Sequence, residues 1–400
     1  MKSAGVLLLV IACGGGGGKT PDAAVVADTG GGSGCQPIGV TGEFLRRSGN
    51  PRLVAGQHMY TNGTVDVGLS DPDLHWDGSQ WQLYFHGPNG TSFSSGVSSM
   101  VRHATSTDAA TWVLDETPSL AVNPDANAWD HTNAETPSVV FDGTKYLMVY
   151  SGANGMLPGY SFPGYSIGLA TSTDGKVFTR IPASESPHGM DGLVLTARDV
   201  YQTDGVVADP EIVLVGNTFH LWFSSFSCDG TNCATVEAYG VAHATSTDGV
   251  HWSVAEAPVR SLLRASIDRT SGGGQPSVIY DDVHCRWELW QTSDASGDTA
   301  AQPIVFNNMA GVWHATSMNA VTWSVNYNGV RDLAWMQSAP GEHLGLLTGA
   351  DVAVKDGGRY MMYGAFDDQN VPSGYYLPDR SQQGYEPGVM TLDLATRDAP

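Results

Sequence analysis

Three acidic residues stand just ahead of prolines that each begin an apolar run. Asp71 and Asp209 directly precede a proline, and Glu135 lies two residues before one. Carboxyl groups are suited to paired acid–base chemistry, because an ionised one takes a proton from water while a protonated one gives a proton to a leaving group. If the fold brings the three acids together, the sequence contains the parts of a hydrolytic centre.

The same arrangement has a purely structural interpretation. Aspartate before proline is a common way to begin a turn, so each acid could serve only to start a strand. Gln275 stands at the matching place before Pro276, which shows that this position does not require an acid. Because a strand can begin there without an acid, the three acids together are better explained by chemistry than by turn formation.

A repeated unit supplies the elements that must position these acids. A proline, an apolar run, a turn and an aromatic run recur from Pro72, Pro137, Pro210 and Pro276, and a fifth copy opens at Asp351. The copies are about 70 residues apart, a period typical of repeat architectures. Each pair of runs around Asp-Gly or Gly-Asn predicts a β-hairpin.

A second signature, Ala-Thr-Ser with an aromatic residue eight positions after the alanine, follows each of the first four hairpins and predicts a third strand. Such antiparallel units, with no long helix between them, favour radial repetition. The sequence therefore predicts an all-β, five-bladed β-propeller, with residues around Pro51 to Tyr60 closing the ring in the last blade. A tandem array of separate small domains is the alternative, but each unit alone would bury too little surface.

This register of motifs resembles the five-bladed propeller glycoside hydrolases of the family 43 arabinanase and xylosidase group, which are related to families 32 and 68. The resemblance spans roughly residues 66–397. It is carried by Ser70 to Asp73, Glu135 to Pro137, Asp209 to Glu211 and the Ala-Thr-Ser segments. It implies carboxyl groups around a central funnel and inverting hydrolysis of glycosidic bonds in a polysaccharide or oligosaccharide, in the manner of an arabinofuranosidase or xylosidase.

The resemblance also implies roles for the acids. By position, Asp71 matches the family's general base. The family usually has an aspartate that tunes acidity in the second blade and a glutamate that donates the proton in the third, and here the two types are exchanged. We therefore expect Glu135 to be the acid and Asp209 the orienting carboxylate, with an exchange of roles between Glu211 and Asp209 as the alternative. The exchanged order also leaves open a non-catalytic surface propeller that binds carbohydrate or protein.

Further predictions concern residues around the funnel. Substrate contacts are expected from six residues: Trp129, His131, Arg198, Glu211, Gln275 and Asp351. His343 resembles by location a histidine that some family members hold near the axis, so it is the candidate residue for a structural calcium ion; no cofactor is expected to be required. A histidine precedes Ala-Thr-Ser in three blades, and this repetition predicts a packing role for His103, His243 and His314.

Composition restricts the partners. The chain has 19 basic and 41 acidic residues, and its net charge of −22 repels phosphate backbones and anionic membrane surfaces. Nucleic acid is therefore disfavoured as a partner, whereas a neutral carbohydrate tolerates this field and can stack on aromatic side chains. A monomer is expected.

The first residues read as a targeting segment. Residues 1–13 combine a basic start with a short apolar run that ends in Val-Ile-Ala-Cys, which resembles a lipoprotein cleavage box and predicts lipid attachment at Cys13. An ordinary signal peptide is the alternative. Residues 14–34 form a Gly-rich flexible tether, and 35–400 form the propeller domain. The protein is therefore expected to be exported, either as a bacterial cell-envelope lipoprotein at the outer membrane or cell surface, or in secreted form.

Export would permit disulfide bonds. Cys228 and Cys233 flank a short turn-forming insert, which makes them the first choice for a disulfide. The pairing of Cys35 and Cys285 stays open.

Overall fold

The computed structural model describes residues 44–90, 99–156, 163–229, 235–255, 273–293, 311–325, 333–334, 343–367 and 389–397. In these ranges the chain is nearly all strand, and no helix there has the length and apolar character needed to cross a bilayer. The predicted signal segment, tether and lipid-bearing Cys13 lie outside the described residues. Cys233 does too, so its disulfide with Cys228 stays a prediction.

The strands follow the predicted repeats. Three short strands come first: β1 (Leu45–Arg46), β2 (Leu53–Val54) and β3 (Val65–Asp66). Blade 1 contains β4 (Ser70–Trp76), β5 (Trp81–His86), β7 (Met100–Ser106), β8 (Val113–Leu114) and β9 (Leu120–Ala121), while β6 (Asn89–Gly90) forms a separate two-stranded sheet with β3. Blade 2 contains β10 (Asn133–Phe141), β11 (Tyr146–Ala153), β12 (Ser166–Ser172), β13 (Thr179–Arg180) and β14 (Leu193–Leu195).

The remaining blades repeat this plan. The helix α1 (Ala197–Tyr201) leads into blade 3, which contains β15 (Gly205–Val215), β16 (Thr218–Asp229), β17 (Thr235–Ser246) and β18 (Ser253–Val254). Blade 4 contains β19 (Gly273–Asp281), β20 (Arg286–Ser293), β21 (Gly311–Ser317), β22 (Trp323–Val325) and β23 (Leu333–Ala334). Blade 5 contains β24 (His343–Lys355), β25 (Gly358–Asp367) and β26 (Val389–Arg397).

The five sheets form a closed ring. The innermost strands are β4, β10, β15, β19 and β24, and each contacts the innermost strand of both neighbouring blades, including β24 with β4. The predicted five-bladed β-propeller is therefore confirmed, and a tandem array of separate domains is excluded.

The hydrophobic core lies between blades rather than within them. Five clusters of buried side chains are present, and each joins two adjacent blades. Leu74 and Trp81 of blade 1, for example, pack with Met362 and Leu394 of blade 5. No sheet could bury these side chains alone, so the apolar pattern of each repeat requires its neighbours.

The histidines before Ala-Thr-Ser pack as predicted. His103 and His243 are buried, and each stacks on the aromatic residue opposite it on the second strand, with ring centroids 4.7 Å from Tyr84 and 4.4 Å from Trp222. His314 stacks in the same way on Trp290 at 4.8 Å. These rings fill the space between neighbouring blades and contribute to the core.

The ring is closed by strands from both parts of the chain. In blade 5, β26 pairs with β25 on one side and with β1 and β2 on the other. Leu45 lies opposite Thr396, and Leu53 lies opposite Leu392. The predicted closing segment therefore takes its place in the last blade, and β1 extends the closure.

Candidate active site

Every innermost strand carries a bulge at the same place. Five residues there adopt a left-handed backbone, and we call them the upper ring: Asp71 (φ +50°), Thr136 (+49°), Asp209 (+48°), Gln275 (+48°) and Gly349 (+43°). In all five blades, the register of pairing between the innermost strand and the second strand shifts at this point. A bulge redirects a side chain out of the sheet, and the upper-ring residues line a pocket on the propeller axis.

The sequence accounts for these bulges. Proline follows the ring residue in four blades, and it cannot donate to the strand ladder, so it is confined to edges and bulges. Aspartate tolerates the left-handed region better than most residues. The Asp-Pro pairs thus both break the ladder and turn a carboxyl group toward the axis.

Gln275 ties the upper ring together. Its Nε2 donates to Asp71 Oδ1 at 2.9 Å, and its Oε1 accepts the Gly349 N–H at 2.9 Å. Ser70 Oγ donates to the second oxygen, Asp71 Oδ2, at 2.7 Å. Both oxygens of Asp71 are therefore held in fixed directions at the axial pocket.

Glu135 lies one residue before the upper-ring position of blade 2, at the boundary with blade 1. Its Oε1 accepts from the Tyr165 hydroxyl and from Asn133 Nδ2 at 3.4 Å. Its Oε2 lies 3.1 Å from His86 Nε2 and 3.5 Å from Ser99 Oγ. The side chain is only about 10% exposed, so the carboxyl group is fixed by contacts from both blades.

The three acids predicted to be catalytic are close enough for their charges to interact. Burial raises the pKa of Asp71, and the charge of Glu135 adds to this, against the opposing effects of His86 and Ser70. Burial, followed by the charges of Asp71 and Glu135, raises the pKa of Asp209 to about 7, although a hydrogen bond from Ser224 opposes the shift. A site with one carboxyl partly protonated near neutral pH can hold both a base and a proton donor.

Below the upper ring lies a second ring that we call the inner belt. It consists of the residues two positions further along each strand: Asp73, Ser138, Glu211, Ser277 and Asp351. Each accepts a backbone N–H from the next blade, for example Leu74 N–H to Asp351 Oδ2 at 2.6 Å and Val278 N–H to Glu211 Oε1 at 3.3 Å. The belt is therefore a continuous chain of contacts that joins all five blades at the axis.

Three of the belt residues are buried acids that repel one another. Burial and the charge of Asp351 raise the pKa of Asp73 and of Glu211 well above the ordinary range. Burial also raises the pKa of Asp351, to about 6. The belt is consequently most favourable when some of its carboxyl groups carry protons.

We expect the inner belt to make the fold more stable at pH 5 than at pH 8. A carboxyl whose folded pKa is raised contributes stability that is present below its ordinary pKa near 4 and is lost as pH rises through the folded value. For Asp351 this window runs from about 4 to about 6 and is worth about 3 kcal/mol, of which roughly half is lost between pH 5 and pH 8. Urea unfolding of the wild type and of Asp351→Asn at both pH values measures it. The difference in the free energy of unfolding between pH 5 and pH 8 should be smaller in the variant. An unchanged difference would show that Asp351 does not cause the pH dependence.

Gly349 leaves room for Asp71. A Cβ on Gly349 would lie 2.6 Å from the Cα of Asp71, a backbone atom that cannot move aside easily. We expect Gly349→Ala to lower the free energy of unfolding by about 3 kcal/mol, from backbone strain together with this clash. Gly216→Ala is the matched control, since Gly216 also has a positive φ (+62°) but faces open space. If urea unfolding shows that both variants lose the same free energy of unfolding, the close approach of the added Cβ to Asp71 has no cost.

The structure places the residues predicted to contact the substrate in different parts of the protein. Gln275 lies on the upper ring, whereas Glu211 and Asp351 lie in the inner belt, where backbone donors occupy their oxygens. Both belt acids still line the axial pocket. Their position argues for a structural part in the belt and against the alternative exchange of Glu211 with Asp209, while contact with a substrate stays a prediction.

Trp129, His131 and Arg198 contact other parts of the protein. Trp129 stacks on Tyr150 with centroids 5.8 Å apart, and its Nε1 donates to the Asp191 carbonyl. His131 Nδ1 lies 2.8 Å from the Asn123 carbonyl oxygen. Arg198 is exposed on α1 and pairs with Asp204 at 2.7 Å. Loop packing and a surface ion pair therefore account for these side chains, and their predicted sugar contacts stay predictions.

His343 is the first residue of β24, opposite Phe366. Its side chain lies outside the described part of the structure, and its predicted part in a calcium site is not tested. Within the described ranges, no cluster of three or more His, Cys, Asp or Glu side chains is arranged to hold a metal ion.

Three residues at the site escaped the sequence analysis: His86, Ser99 and Tyr165. His86 ends the aromatic strand β5 opposite Ser70, so the position of its strand in the repeat was a usable signal. Ser99 and Tyr165 reach Glu135 from segments that follow no repeat.

No family model and no curated protein matches the sequence. Solved structures do match it. One glycoside hydrolase is 14% identical, with a TM-score of 0.58 over 88% of this chain and 92% of its own. A thermostable family-43 glycoside hydrolase is 15% identical, with a TM-score of 0.53 over 86% of this chain and 92% of its own.

A third match is the N-acetylgalactosamine deacetylase from F. plautii in complex with blood group B trisaccharide. It is 13% identical, with a TM-score of 0.57 over 88% of this chain and 95% of its own. Further matches are glycoside hydrolases, among them a family 62 α-L-arabinofuranosidase from Coprinopsis cinerea. At these identities the likeness shows the fold, which is shared with carbohydrate-active propellers.

Proposed function

We propose that this propeller is a glycoside hydrolase that cleaves its substrate with inversion at the upper ring. The observation that carries the proposal is that Asp71 and Asp209 line one axial pocket and that Glu135 lies close enough for its charge to raise the pKa of both. The fold brings this place of every blade to the axis, and Gln275 and Gly349 show that the ring closes without an acid in every blade.

The proposed chemistry assigns one task to each acid. Asp71, ionised and aimed by Gln275 and Ser70, takes a proton from the attacking water. Glu135, protonated, gives its proton to the leaving oxygen. Asp209 orients the pair and shares charge with both. The water oxygen forms a bond to the anomeric carbon as the glycosidic bond breaks, so the configuration inverts.

The substrate is proposed to be a polysaccharide or oligosaccharide of pentose or furanose type, as the neighbouring structures and the acidic surface both favour a neutral carbohydrate. We further propose that the protein works outside the cytoplasm as a monomer, anchored through Cys13 or secreted. A binding propeller without turnover is the competing function, favoured by the exchanged order of Glu135 and Asp209.

A panel of nitrophenyl arabinosides, xylosides, galactosides and fructan oligosaccharides tests the proposal. Turnover of at least one substrate is the expected result, and NMR of the first released sugar should show the inverted anomer. Binding without turnover would support the competing function, and a retained anomer would remove the inverting mechanism.

A further inference from the structure

A continuous set of hydrogen-bond contacts links Asp71 to Glu135 through two side chains. Ser70 Oγ lies 2.7 Å from Asp71 Oδ2 and 3.3 Å from His86 Nδ1. His86 Nε2 lies 3.1 Å from Glu135 Oε2. We infer that Ser70 and His86 form a proton relay that resets the two carboxyl groups after each turnover, an inference that rests on the proposed inverting hydrolysis.

Strand pairing fixes the relay. Ser70 begins β4 and His86 ends β5, and the two are direct partners in the ladder just before the bulge that turns Asp71 to the axis. Glu135 approaches from the next blade. The imidazole is thus held between the two acids by the register of one hairpin, and it cannot leave without breaking that pair.

Inverting hydrolysis creates the need for a relay. After one turnover Asp71 holds the proton taken from water, and Glu135 has lost its own. The proton must return from Asp71 to Glu135 before the next cycle. Ser70 and Glu135 are buried, whereas Asp71 lines the axial pocket, so Ser70 and His86 offer an internal route from the pocket to Glu135.

The proposed step balances without an external donor. The Asp71 O–H bond breaks and its proton moves to Ser70 Oγ, while the Ser70 hydroxyl proton moves to His86 Nδ1. The His86 Nε2 proton then moves to Glu135 Oε2. The ring is left with its proton on Nδ1, and exchange with water at its side chain, which is 14% exposed, restores the Nε2–H form.

The groups that face His86 are consistent with this role. Its neighbours are Glu135, the Ser70 and Ser99 hydroxyl groups and, through Ser70, Asp71. Ser99 Oγ lies 3.2 Å from Nε2, so it can hold that nitrogen while Glu135 is protonated. Histidine changes protonation near neutral pH more readily than other side chains, which suits a relay.

His86→Gln tests the relay, with His251→Gln as the control, because His251 is exposed and pairs with Asp248 in the turn after β17. The glutamine amide can fill the place of Nε2 but cannot pass a proton. We expect kcat on an unactivated disaccharide to fall about tenfold or more, KM to change little, and added imidazole to restore kcat in a saturable way. Turnover of the matching nitrophenyl glycoside should also fall, because Asp71 must still lose its proton after each cycle, but by a smaller factor, because its leaving group needs no proton from Glu135.

The contrary outcomes are equally specific. A loss that imidazole does not repair would mean that His86 only maintains structure, and an unchanged kcat on the disaccharide would also overturn the relay. If the wild type cleaves no glycoside, the proposed function fails, and a second measurement decides whether the contacts are coupled.

That measurement is the ¹⁵N chemical shift of the His86 ring nitrogens, which requires no activity. Asp71→Asn and Glu135→Gln should each change these shifts, and Ser70→Ala should weaken the effect of Asp71→Asn. The ring shifts of His251, which is exposed and pairs with Asp248, should stay the same in all variants. A His86 that responds to Glu135→Gln but not to Asp71→Asn would disprove the link.

Discussion

Asp71→Asn should lower kcat by about three orders of magnitude on every substrate that the wild type cleaves. The carboxylate is the proposed base, and an amide of the same size can accept hydrogen bonds but cannot take a proton from water. Ser70 and Gln275 should still hold the side chain, because its Oδ1 can accept from Gln275 while its Nδ2 donates to the Ser70 hydroxyl, which can accept as well as donate. Steady-state kinetics on the active nitrophenyl glycoside measures the loss, and urea unfolding confirms that the fold is intact.

Asp142→Asn provides the control for this experiment. Asp142 lies in the exposed turn between β10 and β11, where its Oδ1 accepts the N–H groups of Thr144 and Lys145. Asparagine can accept the same bonds, so both activity and stability should be retained. If Asp71→Asn kept more than about a tenth of the wild-type rate, the base would have to be another group.

Glu135→Gln should separate substrates by their leaving groups. Loss of the proton donor slows the cleavage of a disaccharide by about 10²- to 10⁴-fold. A dinitrophenyl glycoside leaves without protonation, so its rate should change far less. The ratio of the two rate constants, measured for wild type and variant, gives the result independently of protein concentration.

Asp209→Asn is the comparison that tests the assignment of roles. As the orienting carboxyl, Asp209 should be needed equally for both substrates, and its loss should slow them by similar factors. The reverse pattern, with leaving-group dependence in Asp209→Asn, would make Asp209 the donor. Its pKa of about 7 makes that outcome chemically sound.

The fold could be predicted from the sequence because each repeat contains residues with strong local conformational preferences. Prolines mark the bulges of the innermost strands in four blades, and an Asp-Gly or Gly-Asn turn marks the first hairpin in four blades. The histidines before Ala-Thr-Ser were predicted to pack, and they do so on the facing aromatic rings. These features depend on neighbours close in sequence or on a regular period.

The site was only partly predictable for the opposite reason. Asp71 and Asp209 were placed correctly on the axis by their prolines, but Tyr165 and Ser99 reach Glu135 from irregular segments that carry no period. Glu211 and Asp351, which are predicted substrate contacts, also bind the backbone of the next blade, and no local signal in the sequence reveals that contact. Whether an acid faces a ligand or a neighbouring N–H depends on a shift of two residues along a strand.

The pairing of β1 and β2 with β26 also determines the order in which the blades can be completed during synthesis. Blades 1 to 4 can assemble as they emerge, since their strands are consecutive, but Leu45 must wait for Thr396. Contacts of such long sequence separation form late. A chain cut short before its final strand would therefore remain an open spiral with unpaired edges, prone to join another copy of itself.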